Sequence, residues 1–395
     1  MGLLNPEIKA FIREHADENP ETLALQSKRY SDLPMAFIAR QVKARQRIQK
    51  KLPTWHGNDD VVFPGSLSLE QCSSETAADY KAGLFEGGTM ADLTGGLGVD
   101  ALAFSKKFER VFHIERSAEL SEIVSANVEV LGKTSIVETI TGDGFEWLDT
   151  YDGELDLLYV DPARRDGRDL KVSALAECEP NLTLVWEQLL KRAKRVAVKL
   201  SPGLDIDSIR SELRSIREIH VISVANECKE TFCVAEDAYK DEAKITCVNE
   251  RSSGHWDRFT FLRSEEKALV GEFVKCGHYL YEPNASIMKA GAFKAFGKSM
   301  CLPALHPRTR FYTSDELREQ FPGRVFEIVD TGEIRSKVAR TLFPDGKANT
   351  FARNAGITSD ALKRKLKLGD GGDWFAIGTT DASEQRLLLK CDRVQ

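Results

Sequence analysis

Apolar positions recur along this chain in two different rhythms. Residues 7–15 and 34–51 carry them at helical spacing, with Phe37, Ile38, Val42 and Ile48 as the apolar set of the second segment, so residues 1–65 are predicted to be a small N-terminal helical domain. Residues 68–85 (SLEQCSSETAADYKAGLF) read as one further helix, capped by a serine with Glu75 and Thr76 in its first turn. From Met90 to about Glu250 the rhythm changes. Short β-prone runs (MADL, RVFHIE, SIVETITGD, LDLLYVDPARRD and RVAVKLSPG) alternate with amphipathic stretches such as SAELSEIVSANVEVLG, and SVANECKETFCVAE supplies the last strands. That alternation predicts an α/β domain over residues 66–250, built on a doubly wound, mainly parallel sheet. The fourth run is apolar almost throughout, as a strand covered on both faces requires.

Composition narrows the class. A chain of 395 residues with 42% hydrophobic content is long enough for two or three domains with real cores. Its eight cysteines form no CxxC pair, no signal-peptide pattern opens the sequence, and no apolar run approaches the ~20 residues that cross a bilayer. The expectation is a cytoplasmic protein with reduced thiols, no membrane segment and no metal site, Cys228 and Cys233 being structural. Charge is unevenly spread. Residues 275–395 hold 20 Lys and Arg against 14 Asp and Glu, a net of +6, so with −6 overall the preceding 274 residues carry −12. A basic C-terminal third on an acidic body points to a polyanionic partner for that third. The segment RQVKARQRIQKK is a smaller basic run, with Arg40, Lys43, Arg45, Arg47, Lys50 and Lys51 uninterrupted by an acid.

The candidate chemistry starts at MADLTGGLGVD, residues 90–100. Gly95, Gly96 and Gly98 let the backbone turn tightly and approach a ligand, and a helix follows. Asp92, at the strand end, selects among ligands. A dinucleotide would bring an anionic pyrophosphate to this loop and be repelled, whereas S-adenosylmethionine brings an ammonium and a sulfonium. Two other readings stay open here: a tight turn without a ligand, and a nicotinamide site, because Gly96, Gly98 and Ala101 also satisfy GxGxxA. Later strand ends add weight. Glu115 lies 19 residues after Gly96, the spacing at which an acid reaches ribose hydroxyls, Asp143 is placed to accept from an adenine amino group, and Asp161 closes the fourth strand. Lys199 and Ser201 reach the same edge from the fifth.

DLTGGLGVD, HIE, TGD and VDPARR together resemble the successive motifs of class I S-adenosylmethionine-dependent methyltransferases. More narrowly, YLYEPNASIMKAGAFKAFG, LHPRTRFYTS and residues 326–394 are similar to bacterial proteins of the RNA cap guanine-N2 methyltransferase-like group. The resemblance implies a Rossmann-like domain at 66–250, a ferredoxin-like segment at 275–325 and an α+β THUMP-like RNA-binding module at 326–395. It implies S-adenosylmethionine as cofactor, held by Asp92, Gly95, Gly96, Gly98, Glu115 and Asp143, with Asp161, Pro162 and Arg164 as catalytic residues. In relatives that methylate exocyclic amines the tetrapeptide is D/N-P-P-Y/F/W, and the acid and the proline carbonyl receive the amine. Here it reads DPAR, so Arg164 stands where an aromatic would stack on the base. Methylation at C5 of uracil is disfavoured, since it needs a cysteine where this chain has Ser201.

The C-terminal third interleaves aromatics with bases: Arg308 and Arg310 beside Phe311 and Tyr312, then EIRSKVAR, then ALKRKLKLGDGGDW. Lys363, Arg364, Lys365 and Lys367 fall on a predicted helix capped by Ser359, a surface suited to RNA phosphates. The expectation is a methyltransferase acting on a base amino group, of the guanine N2 type, in tRNA or rRNA. A nicotinamide-dependent oxidoreductase and a catalytically idle RNA-binding protein are the alternatives.

Overall fold

The computed structural model describes residues 4–164, 175–252 and 254–395, the Arg164 side chain excepted. They fall into two compact units, Met1–Arg217 with Thr231–Asp241 and Glu218–Glu230 with Glu242–Gln395.

The first unit begins with helices α1 (Pro6–Glu14), α2 (Pro20–Ala24) and α3 (Met35–Ile48). Asn5 caps α1 by accepting from the Ile8 amide at 2.8 Å, and the helix buries Ile8, Phe11 and Ile12 against Leu23, Met35, Ile38 and Val42. The basic run on α3 is partly structural. Arg45 is buried and donates to the carbonyls of His56, Asn58, Asp59 and Val61, Arg47 pairs with Glu70, and Lys51 donates to the carbonyls of Leu69 and Glu70. After α4 (Pro53–His56), residues 68–85 do not form the single helix their pattern predicts. They divide into α5 (Ser66–Gln71) and α6 (Glu75–Ala82). The chain is extended at Cys72, and Ser74 starts a new helix by accepting from the Ala77 amide at 3.2 Å.

The strands that follow are β1 (Gly87–Asp92), β2 (Phe108–Glu115), β3 (Val137–Thr141), β4 (Leu157–Val160), β5 (Arg195–Leu200), β6 (Ile216–Val224) and β7 (Glu227–Ala235). Between them lie α7 (Val99–Phe104), α8 (Ala118–Val130), α9 (Gly144–Thr150), α10 (Leu182–Arg192) and α11 (Ile206–Glu212). In the first unit the strand order is β7-β5-β4-β1-β2-β3, parallel except for β7. The chain runs outward from β1 through β2 to β3 and then returns to the other side of β1 at β4. That reversal leaves a crevice beyond the carboxyl ends of β1 and β4, where open parallel sheets bind ligands. All of β4 is buried, as its apolar sequence requires.

In the second unit β8 (Lys244–Glu250) lies parallel to β6 and forms a hairpin with β9 (Trp256–Leu262). Helices α12 (Arg263–Ala268), α13 (Ala285–Ala290) and α14 (Phe293–Met300) accompany a six-stranded sheet. Its strands are β10 (Tyr279–Pro283), β11 (Tyr312–Ser314), β12 (Gly323–Glu333), β13 (Asn349–Ala352), β14 (Phe375–Thr380) and β15 (Arg386–Arg393), in the order β11-β10-β12-β15-β14-β13. Helices α15 (Ser336–Leu342) and α16 (Ser359–Leu366) place Ala339, Leu342, Leu362 and Leu366 in one core cluster with Ala376 and Leu388 of the sheet. The cap of α16 is Thr358, one residue earlier than predicted, because Ser359 turns its hydroxyl to the Ala352 amide at 3.0 Å. Among the described residues no helix is long and apolar enough to cross a membrane.

Candidate active site

Met90 and Ala91 anchor β1 in the core, which delivers Asp92 to the crevice with only 2% of its surface exposed. One carboxylate oxygen accepts from the Thr94 amide at 3.0 Å and from the Thr94 hydroxyl at 3.2 Å. Burial pushes the Asp92 carboxyl up to about 8, reinforced by the charges of Asp100 and Asp161 and only partly offset by Thr94. A buried carboxyl in that condition is stabilised in its ionised form by any cation that arrives.

The glycine loop follows. Gly96 and Gly98 hold φ angles of +60 and +77. Gly95 has a different constraint, since a Cβ there would lie 2.6 Å from the Ile114 carbonyl oxygen and 2.8 Å from the His113 ring. The buried His113 is pushed down to about 4 by desolvation, so a neutral ring supports the loop. Glu115, at the end of β2, takes the loop from the other side. It accepts from the Gly96 amide and, with its second oxygen, from the Ser117 amide, both at 2.7 Å.

Asp143 is the N-cap of α9, accepting from the amides of Phe145 and Glu146, and its other oxygen pairs with Arg116 at 2.5 Å. Desolvation raises its carboxyl, but these amides and the guanidinium outweigh that and hold it below the usual range. Asp161 follows β4 with its side chain one-third exposed and ion-paired to Lys199 of β5. Its amide donates to the Thr94 hydroxyl at 2.7 Å, so Thr94 ties the end of β1 to the end of β4. Pro162 is half-buried beside it. The Arg164 backbone pairs with Cys178, while its side chain lies outside the described residues. Ser201 accepts from the Gly203 amide at 3.2 Å within a turn.

Asp92, Gly95, Gly96, Glu115 and Asp161 are thus joined to one another by the strand ends and their hydrogen bonds. The sequence did not expose Thr94 as the link, Lys199 as the partner of Asp161, or a buried group behind the loop. There Lys81 of α6 pairs with Asp100 of α7 at 2.9 Å, and the Asp100 carboxylate also accepts from Ser73 at 2.8 Å and Tyr159 at 3.0 Å. The available signal for Asp100 was the acid in the first turn after the glycines, which also reads as an ordinary helix-start carboxylate.

Of the predicted phosphate contacts, Lys363, Arg364 and Lys365 lie on α16 and Lys367 is its C-cap. Arg364, Lys365 and Lys367 are exposed, while Lys363 is half-buried and paired with Asp370.

Comparison with known proteins gives matches along the whole chain. A family profile described as a ferredoxin-like domain covers residues 279–322, and one described as THUMP domain-like covers residues 323–393. A crystal structure from Porphyromonas gingivalis W83 that carries the name of a methyltransferase is 30% identical, with 98% of each chain covered and a TM-score of 0.87. Proteins of two Mycobacterium tuberculosis strains, named as uncharacterized S-adenosylmethionine-dependent methyltransferases, are each 23% identical over 313 residues, which is 76% of this chain and 80% of theirs.

Proposed function

The chain belongs to the S-adenosylmethionine-dependent methyltransferases, and from that premise we propose that it methylates a base amino group, of the guanine N2 type, in structured RNA such as tRNA or rRNA. The observation that carries this reading is the arrangement at the crevice. A buried carboxyl suited to a cation, Asp92, is joined through one threonine to Asp161, a more exposed carboxylate suited to an incoming amine.

S-adenosylmethionine supplies a methyl group on a sulfonium and, when bound, an ammonium. Asp92 would hold the ammonium, the Gly95–Gly96 turn would lie against the donor, and Glu115 would accept from ribose hydroxyls with its remaining lone pairs. Asp143 would share its Arg116-paired oxygen with the adenine amino group. Asp161 and the Pro162 carbonyl would receive the two N–H bonds of the base amine, which directs the nitrogen lone pair at the methyl. Most of the acceleration then comes from positioning and electrostatics. As the N–C bond forms and the S–C bond of the sulfonium breaks to leave a neutral thioether, Asp161 would take the proton that the nitrogen sheds, and Lys199 would orient that carboxylate through their ion pair. The exposed bases of α16, within a segment of net +6, would hold RNA phosphates.

The test is a comparison of modified nucleosides in RNA from cells with and without the protein, with the purified protein and labelled donor restoring the missing one. Loss and restoration of an N2-methylated guanosine is expected. Restoration of a C-methylated or ribose-methylated nucleoside instead would overturn the amine assignment, and no change in any RNA would overturn the substrate class.

A further inference from the structure

A cavity of about 430 Å³ opens in the second unit, among the end of α12, the loop at 269–273, α14 and the loop at 302–312. Its size falls within the roughly 300 to 1,000 Å³ usual for small-ligand sites. Phe273, Phe293 and Tyr312 contribute aromatic rings to walls that are otherwise mainly aliphatic and charged. Tyr312 is fully buried and donates its hydroxyl to the Phe293 carbonyl at 2.6 Å, and Phe273 stands at the mouth with 39% of its surface exposed.

Two exposed cations, Lys298 and Arg310, complete the rim. The Arg310 guanidinium lies 4.7 Å from the centre of the Phe293 ring. The Arg310 backbone has φ +59, a conformation that a long side chain adopts only at a cost. The two acids of the lining differ in what they do. Glu266 is buried and accepts from the amides of Lys294 and Ala295, so its charge is engaged at the start of α14, and Glu272 is exposed. Lys294 in turn donates to the Leu269 carbonyl at 2.6 Å. What faces a ligand is therefore an apolar, partly aromatic hollow whose edge carries a guanidinium, an ammonium and the exposed Glu272 carboxylate. Its complement is a flat apolar ring that carries an anion.

We propose that this cavity takes one unstacked nucleotide of single-stranded RNA, the base against Phe273 and the phosphate at Arg310 and Lys298. The proposal rests on the RNA reading above and names a contact separate from the bases of α16. Such a contact favours an RNA end or loop over a continuous duplex, because only an unpaired base can leave its stack and enter.

Cys301 gives a direct readout, since it lines the cavity and is the exposed one of the eight cysteines. Full-length protein is alkylated with a maleimide in the presence of a short unpaired fluorescein-labelled oligoribonucleotide or a blunt RNA duplex, and anisotropy gives the affinity for each. The oligoribonucleotide is expected to slow Cys301 alkylation and the duplex is not. Phe273→Ala and Arg310→Ala are each expected to weaken oligoribonucleotide binding about tenfold without changing S-adenosylmethionine affinity. Binding of the oligoribonucleotide with unaltered Cys301 alkylation, or with full affinity in both variants, overturns the cavity assignment and leaves the RNA reading standing. Equal protection by the duplex overturns the single-strand requirement. Failure of the wild-type protein to bind either RNA overturns the RNA reading, and this proposal with it.

Discussion

Asp92 joins two properties that pull against each other, burial and charge. Its carboxyl is raised from 3.8 to about 8, so between those values the unfolded chain ionises while the folded, unliganded protein keeps the proton. The stability this group contributes is thus full below the lower value and is lost as the pH rises through the upper one. A bound ammonium reverses the preference, and binding near pH 7 should release close to one proton per donor. Calorimetry in buffers of different ionisation heat measures that release, which Asp92→Asn should abolish. Asp92→Asn and Glu115→Ala should each weaken donor binding by about ten- to a hundredfold. Wild-type affinity in both would remove this placement of the donor. On the acceptor side, Asp161→Ala should lose most methyl transfer while still binding the donor, and Ser201→Ala should retain transfer, since that hydroxyl serves a turn. An active Asp161→Ala beside a dead Ser201→Ala would reverse the roles. The acids stood out in the sequence because each ends or closely follows a β-prone run. Lys199 was visible only as a neighbour, since its pairing with Asp161 depends on the register that sets Val160 beside Val198.

Helices α6 and α7 are joined by charges that both lie out of water, Lys81 fully buried and Asp100 nearly so. Desolvation raises the Asp100 carboxyl, but Lys81, together with the charge of Lys199 and the Ser73 hydrogen bond, outweighs it and holds the group low, so its stabilisation is present above the ordinary carboxylate pKa and drains away as acid protonates it. Lys81→Met would leave that carboxylate buried without its cation, at a cost of about 3 to 5 kcal/mol. Denaturant unfolding measures this, and the double change Lys81→Met with Asp100→Leu should recover a large part. A cost below about 1 kcal/mol for the single change would mean that the pair is solvated. Strand elements were easier to read than these helices. An unbroken apolar run such as that of β4 has few alternatives, whereas consecutive serines at 73 and 74 offer both a helical position and a cap, and capping prevailed. The same competition moved the cap of α16 from Ser359 to Thr358.

Across the whole molecule charge is unevenly spread, and the proposed RNA contact follows that unevenness. RNA affinity should fall with salt at about −0.7 to −0.9 in log-log slope per phosphate neutralised, and changing Lys363, Arg364, Lys365 and Lys367 together to Ala should flatten that slope while sparing donor binding. The largest share should come from the three exposed members, since Lys363 already has Asp370 as a partner. An unchanged slope would place the phosphate contacts elsewhere, with the bases of α3 that carry no structural bond next in line. The Thr94 hydroxyl has a reach beyond its own loop. It donates to Asp92 and accepts from the Asp161 amide, so a single oxygen responds to whatever occupies either side. When donor binding ionises Asp92, that oxygen's proton is drawn toward it and its lone pair toward Asp161. By thermodynamic reciprocity, the factor by which the donor changes affinity for the proposed RNA substrate then equals the factor by which that RNA changes affinity for the donor. Thr94→Val should set that factor to one, measured as RNA affinity with and without the demethylated donor product, and an undiminished factor would show that the two ligands communicate by another route or through direct contact.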